Sequence, residues 1–192
     1  YLLSVRFWKS PDNGMWEEGL DLHSSSIGAV VGGLSYINRR QIVVVPSSMI
    51  NAGRDALNSI LPNESHGREV DMAQLSLIWP YNIVSRDVAD TILSRVKSKL
   101  VQRHGVNRYW GDNYFRSQNG FSGEWPMGFF WLSIIYSQRH EAEEAQRWFE
   151  LGLAEMVSGK HIPELYKNNE PNNHTPLAWA HALAIIAQTK IK

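Results

Sequence analysis

Four segments of the sequence place a carboxylate beside an aromatic ring: Met15-Trp16-Glu17-Glu18, Arg108-Tyr109-Trp110-Gly111-Asp112-Asn113-Tyr114, Gly123-Glu124-Trp125-Pro126 and Ile162-Pro163-Glu164-Leu165-Tyr166. Sugars are bound by such sets, because polar groups grip hydroxyls while rings cover the apolar faces. Two carboxylates across a cleft are also the machinery of glycoside hydrolysis. One protonates the leaving oxygen and the other takes a proton from water. A single Glu in a loop is by itself an ordinary solvated group. Other chemistries lack their residues: there is no Cys, no GxSxG elbow, no phosphate-cradling glycine loop and no HExxH spacing. Asn172-Asn173-His174-Thr175 reads either as a polar metal-ligating cluster or as a turn leading into a helix, with His174 as a hydrogen-bonding residue. No catalytic metal and no cofactor are expected.

The elements that must position these residues are helical. Apolar spacing predicts helices over 24–37, 48–61, 70–79, 85–101, 126–137, 141–157 and 175–186, the last with Thr175 as cap and Pro176 in its first turn. Gly28 and Gly32, four apart, admit the close approach of another backbone. One short strand is expected over 41–45, at Ile42-Val43-Val44-Val45. The second, fourth and sixth helices are amphipathic; the third, fifth and seventh are more uniformly apolar. A toroid of helical hairpins has this alternation, with an inner ring packed on both sides and an outer ring with one wet face; an irregular bundle also accommodates it. Loop lengths favour the toroid. The segments 63–68, 102–125 and 158–174, which lead into the apolar helices, are the long ones; 102–125 and 158–174 carry three of the carboxylate–aromatic segments, and the fourth, at 15–18, precedes the first helix.

Composition narrows the classes further. The 192 residues read as a single domain, 1–192, with 43% hydrophobic and 20% charged residues. Lys plus Arg equals Asp plus Glu at 19 each, so no positive field draws nucleic acid or an anionic membrane. No apolar run approaches a membrane span of about 18 residues, and the first residues show no signal-peptide pattern. The absence of Cys leans toward a reducing compartment, so a cytoplasmic location is expected. Eight Trp supply either stacking surfaces for a ligand or core.

At the carboxylate–aromatic segments the chain resembles glycoside hydrolase family fifteen, the glucoamylase family, and the phosphorylase kinase α/β regulatory subunits related to it. Trp16-Glu17-Glu18 is similar to that family's Trp-Glu-Glu, and Arg108-Tyr109 with Asp112 and Tyr114 to its substrate-binding loop. Glu164 followed by Thr175-Pro176-Leu177-Ala178-Trp179-Ala180 resembles the segment that holds the catalytic base. The kinase-subunit likeness runs through Asp55-Ala56-Leu57-Asn58-Ser59-Ile60-Leu61-Pro62, Glu69-Val70-Asp71, Leu75-Ser76-Leu77-Ile78 and Glu124-Trp125-Pro126.

The resemblance implies an all-α (α/α)6 toroid, of which about seven helices, the C-terminal part of the barrel, are present. It implies inverting release of glucose from an α-glucan or maltooligosaccharide, with Glu17 as general acid and Glu164 as general base. Trp16, Glu18, Arg108, Tyr109, Trp110, Asp112, Glu124 and Trp125 would bind the sugar. Carboxyl groups of an inverting pair stand roughly 6.5–9.5 Å apart. The alternative implication is a non-catalytic, glycogen-binding regulatory module of the kinase-subunit kind. The N-terminal half of the barrel, or a second chain, is an expected partner. Without it, the apolar helices at 127–136 and 177–186 would expose part of their surface.

Overall fold

Helical periodicity governs the chain. The structure, a computed structural model, describes residues 1–191. Its contacts gather into two compact units, Tyr1–Val96 and Lys97–Lys192.

The first unit carries α1 (Leu2–Val5), α2 (Ser24–Arg39), α3 (Ser47–Ile60), a 3₁₀ turn at Met72–Gln74 continuing into α4 (Leu75–Ile78), and most of α5 (Arg86–Lys99). Helix α2 packs on α3 and α4. A Cβ at Gly28 would lie 2.2 Å from Leu77 Cδ2, so the missing side chain is what admits Leu77. The close approach foreseen at Gly28 and Gly32 is thus made by the Leu77 side chain and by Tyr81.

The helix expected over 70–79 is shorter than its apolar pattern. Asp71 is extended (φ −150°, ψ 141°) and forms a capping box with Gln74, which delays the start. At the other end Trp79 is extended (φ −142°, ψ 130°), as the residue before a proline prefers. The strand expected over 41–45 does not form. Ile42, Val43 and Val44 are 65%, 55% and 91% exposed, and the amide of Val45 donates to Asn38 Oδ1 rather than to a neighbouring strand.

The second unit carries α6 (Met127–Gln138), α7 (Ala142–Ala154), a two-stranded hairpin of β1 (Tyr166–Lys167) and β2 (Glu170–Pro171), and α8 (Ala178–Lys190). Helix α6 packs on both α7 and α8. Every residue from Met127 to Tyr136 is buried, as an all-round apolar helix requires; the surface loss expected there does not occur. Helices α3, α5 and α7 each bury one stripe.

Helix α8 departs from its inner-ring pattern. It buries only Ala180, Leu183 and Ala187, and it leaves Trp179 39% and Ile185 63% exposed. It also starts later than Thr175-Pro176. Leu177 is extended (φ −95°, ψ 120°) and its amide donates to Ile162 O, while the Thr175 hydroxyl donates to Asn172 O instead of capping. The all-α class read from the sequence is what the structure has: eight α-helices and one two-residue-strand hairpin among the described residues. Among those residues no helix is long and apolar enough to cross a membrane.

The contact between α6 and α7 yields a paired test. A Cβ at Gly152 would lie 2.6 Å from the Phe130 ring, whereas at Gly33 on α2 it would meet nothing within 4 Å. Gly152→Ala is therefore expected to destabilise by about 1–3 kcal/mol. Gly33→Ala should stabilise by about 0.4–1 kcal/mol. Thermal unfolding of the two variants checks both signs.

Candidate functional site

In the first unit, Glu17 sits in a turn that the chain closes at its base. Asp12 and Asp21 exchange backbone hydrogen bonds across an antiparallel bridge, and the Gly14 amide donates to Asp12 Oδ1. Within the turn the Glu18 amide donates to Asn13 O at 2.8 Å. Glu17 itself has φ 57°, a left-handed conformation that costs a non-glycine residue energy. Its carboxylate side is exposed.

Trp16 pins that turn. Its indole Nε1 donates to Asp71 Oδ1 at 2.8 Å. Asp71 is fully buried and accepts from Ala73 N on the same oxygen and from Arg68 Nη1 on the other, at 2.9 Å. Beside it lies a second buried carboxylate, Glu64, 1% exposed. Glu64 occupies the N-terminus of α2, accepting from the hydroxyls of Ser24 and Ser25 and from the Ser25 amide. Helix N-termini offer unpaired amides and positive potential, which suits a carboxylate. His23 Nδ1 lies 3.5 Å from Glu64 Oε1. Burial first, and then the charge of Glu64, push the Asp71 carboxyl up from 3.8 to about 7; the adjacent Glu64 carboxylate raises His23 above its ordinary value.

In the second unit the long loop is organised by one ion pair. Arg108 Nε and Nη2 donate to Asp112 Oδ2 and Oδ1, both at 2.7 Å, and the Tyr114 amide donates to Asp112 Oδ1 as well. The guanidinium lies 4.7 Å from the Tyr114 ring centroid, and 5.6 and 5.7 Å from those of Trp125 and Tyr109. Arg108 is 4% exposed and Asp112 not at all. These two groups therefore hold the loop in shape, and Trp110, 72% exposed, is the ring that the loop presents. Glu124 is half-buried; its Oε2 accepts from the His104 amide at 2.6 Å.

Glu164 lies just before β1, and the hairpin folds its partners back onto it. Asn168 and Asn169 form the turn with φ 55° and 64°, both left-handed, as the tightest hairpin turn requires. The Asn172 amide then donates to Leu165 O. Its side chain Nδ2, together with His174 Nδ1 at 2.9 Å, meets Oε2 of Glu164. The Glu164 side chain is 13% exposed. Phe115, from the long loop, sets its ring edge-on to His174 at 5.9 Å. Of the two readings of Asn172–His174, the hydrogen-bonding one describes the contacts; among the described residues no group of three or more His, Cys, Asp or Glu could hold a metal ion.

Sequence reasoning missed Asp71, Glu64 and His23 as a buried cluster, and the role of Asn172. Two signals were present. Asp71 with Gln74 three residues on is a capping-box spacing, and Asn168-Asn169 between Tyr166-Lys167 and Glu170-Pro171 is a hairpin turn.

No protein-family model matches the chain. Among solved structures, a wild-type glycosidase superposes with a TM-score of 0.80 at 20% identity, covering all of this chain and 57% of its own. A Glu→Ala variant of a glycosidase in complex with glucose gives 0.78, again at 20% identity and with the same coverage. The chain has a glycosidase fold. By sequence it is similar to a probable phosphorylase b kinase regulatory subunit alpha of Caenorhabditis elegans, 25% identical over 235 aligned residues, which cover 93% of this chain and 19% of that protein. It is also similar to the skeletal muscle isoform of the alpha subunit from Oryctolagus cuniculus, 26% identical over 200 residues, covering 83% and 16%. The probable beta subunit of Drosophila melanogaster is 23% identical over 228 residues, covering 95% and 21%. The chain thus spans about a fifth of the length of these curated relatives and just over half that of the glycosidases. Both resemblances read from the motifs, to glycosidases and to the kinase subunits, are found.

The cluster under Trp16 predicts a pH dependence. The folded chain keeps the Asp71 proton at pH values where the unfolded chain has released it. The resulting stabilisation is complete below the unfolded value of 3.8 and is lost as pH rises through about 7. His23, also raised, acts in the same sense: its contribution is present below 6.5 and lost as pH rises through its folded value. Thermal unfolding is therefore expected to move to lower temperature between about pH 5 and about pH 8. Asp71→Asn should flatten the part of that slope below neutrality, and an unchanged slope would remove Asp71 from the account.

Proposed function

We propose that the chain carries the acid and base of an inverting glycoside hydrolase of glucoamylase type, acting on α-glucans or maltooligosaccharides. Glu17 donates its proton to the glycosidic oxygen as the bond to the anomeric carbon breaks. Glu164 takes a proton from a water whose oxygen attacks that carbon from the opposite face. The observation that carries the reading is the grip of Asn172 and His174 on one oxygen of Glu164. Two fixed donors on Oε2 orient the carboxylate and leave Oε1 for the water, as a general base needs. The pinned turn under Glu17 supports the reading, since an acid held by Trp16 on a buried anchor needs little rearrangement to meet its substrate. The glycosidase fold, and a Glu→Ala variant of such a fold in complex with glucose, support the substrate class.

In this reading Trp16, Glu18, Tyr109, Trp110, Glu124 and Trp125 contact the sugar. Arg108 and Asp112 act as a pair that shapes the loop. The whole 1–192 forms part of one (α/α) barrel, in the cytoplasm, completed by the N-terminal half of that barrel or by a second chain.

A second reading is favoured by the sequence relatives named above, each a kinase regulatory subunit: an oligosaccharide-binding barrel inside a regulatory assembly, without turnover. Glucose release from maltotriose by the intact protein separates the two. Hydrolysis is expected, with Glu164→Gln and Glu17→Gln each lowering kcat by about 10²–10⁴-fold. Release unaffected by Glu164→Gln would refute the base. No release from the intact, folded protein would overturn the hydrolase reading and favour the regulatory one. Stability offers an independent check on the turn: at φ 57°, Glu17→Gly is expected to be about 1 kcal/mol more stable than Glu17→Ala in equilibrium unfolding.

A further inference from the structure

Residues 41–45 have the composition of a strand and no strand to pair with. Ile42, Val43 and Val44 stand in water. Among the described residues, the amides of Val43 and Val44 and the carbonyls of Ile42, Val43 and Val44 meet no hydrogen-bond partner. Both ends of the segment are nevertheless held. Gln41, left-handed at φ 55°, closes α2: its amide donates to Asn38 O and the Ile42 amide to Ile37 O, both at 3.0 Å. At the far end Val45 is buried, and its amide donates to Asn38 Oδ1 at 3.1 Å. A β-branched edge presented on two anchors loses little freedom when another chain pairs with it. Such an edge is a template for strand addition.

Charge selects the kind of chain. Arg40 and Arg39 stand over the Tyr36 ring, 5.5 and 6.0 Å from its centroid, and that ring's residue is itself 49% exposed. Between Asp21 and Asp55 the sequence has no acidic residue, while it carries Arg39, Arg40 and Arg54. The chain as a whole is neutral, but this stretch is positive and holds no carboxylate of its own. A second copy paired here brings the same arginines and no acid from this stretch, so it leaves them unmatched. An anionic lipid surface would match the arginines, yet its hydrocarbon would leave the amides and carbonyls of 42–44 unpaired. An extended acidic segment satisfies both the backbone and the charge.

We propose that 41–45 is a docking edge for an extended acidic segment of a partner protein. The segment adds as a β-strand along Ile42-Val43-Val44 and sets its carboxylates against Arg39 and Arg40. The edge lies at the C-terminal end of α2, whose 16 residues span about 24 Å. The turn that carries Glu17 is tied to the other end, where the Ser26 hydroxyl donates to Asp12 Oδ1 at 2.8 Å. Docking therefore takes place a helix length from that turn, and it rests on neither reading of the candidate site.

The test is fluorescence anisotropy of a labelled peptide, Glu-Glu-Val-Thr-Val-Thr-Val-Glu-Glu, titrated with the intact protein. Two control peptides accompany it: one with Lys for every Glu, and one N-methylated at every residue between the Glu pairs, which cannot pair as a strand. Binding of the unmodified acidic peptide alone is expected. Replacing Arg39 and Arg40 together by Ala should weaken it at least about tenfold, and replacing both by Lys should recover most of the loss. These are surface residues, and thermal unfolding shows that each variant stays folded. Absence of binding by the acidic peptide overturns the proposal. So does equal binding of the N-methylated peptide, which makes the attraction one of charge without strand addition. A dimer in sedimentation without peptide that dissolves on Val44→Lys assigns the edge to a second copy. Cosedimentation with phosphatidylserine vesicles, lost in the double Ala variant, assigns it to lipid; either result also overturns the proposal.

Discussion

Backbone pairing between segments that have no helix of their own is the constraint on which the second unit depends. A long loop cannot leave its amides and carbonyls unpaired where it is buried. Here they are satisfied by isolated bridges, from Val101 to Val106, Val106 to Trp125, and Glu124 to Tyr166. The ladder works because residue 105 is glycine. A Cβ there would lie 2.4–2.6 Å from the backbone of Trp125, closer than real contacts allow. Through this ladder the Arg108–Asp112 loop, Glu124 and the strand after Glu164 are held to one another without a sheet of ordinary size.

The two candidate carboxylates are fixed by opposite strategies. Glu164 is held directly, by two donors on one oxygen. Glu17 is held at one remove: its own side chain is exposed while its neighbour Trp16 reaches a buried carboxylate. Directly held groups keep their orientation but are locked into one arrangement. An indirectly held group keeps freedom of side-chain rotation on a backbone that cannot move far. A base that must aim at one water gains from the first, and an acid that must follow a leaving oxygen gains from the second.

How much of this was legible in the sequence depends on the range of the interaction. Helices α2, α3, α5, α6 and α7 were readable to within a few residues because an apolar period of 3.6 is a local property. So was the burial of α6 from Met127 to Tyr136, where every position is apolar, aromatic or small. The 41–45 segment was misread because β-branched residues favour a strand only when a partner strand exists. Thr175-Pro176 was misread because the Thr175 hydroxyl is taken locally by Asn172 O and the helix start is set by the pairing of Leu177 with Ile162, far back in the chain. The carboxylate–aromatic segments announced the candidate site. Asp71 and Glu64 stayed hidden because a buried acid looks like any other acid until its neighbours are known.

Helix α6 has a consequence for how the second unit assembles. A stretch from Met127 to Tyr136 with no polar face is hazardous while uncovered. Its main cover, α7, begins at Ala142, a few residues after α6 ends at Gln138. Contacts so near in the chain need little loop closure, so they form early and fast. The bridges joining 106 to 125 and 124 to 166 span far more chain and must wait. The greasiest surface is thus shielded first, on a timescale set by a three-residue turn, and the surface that carries the candidate site is laid down afterwards on a core that has already closed.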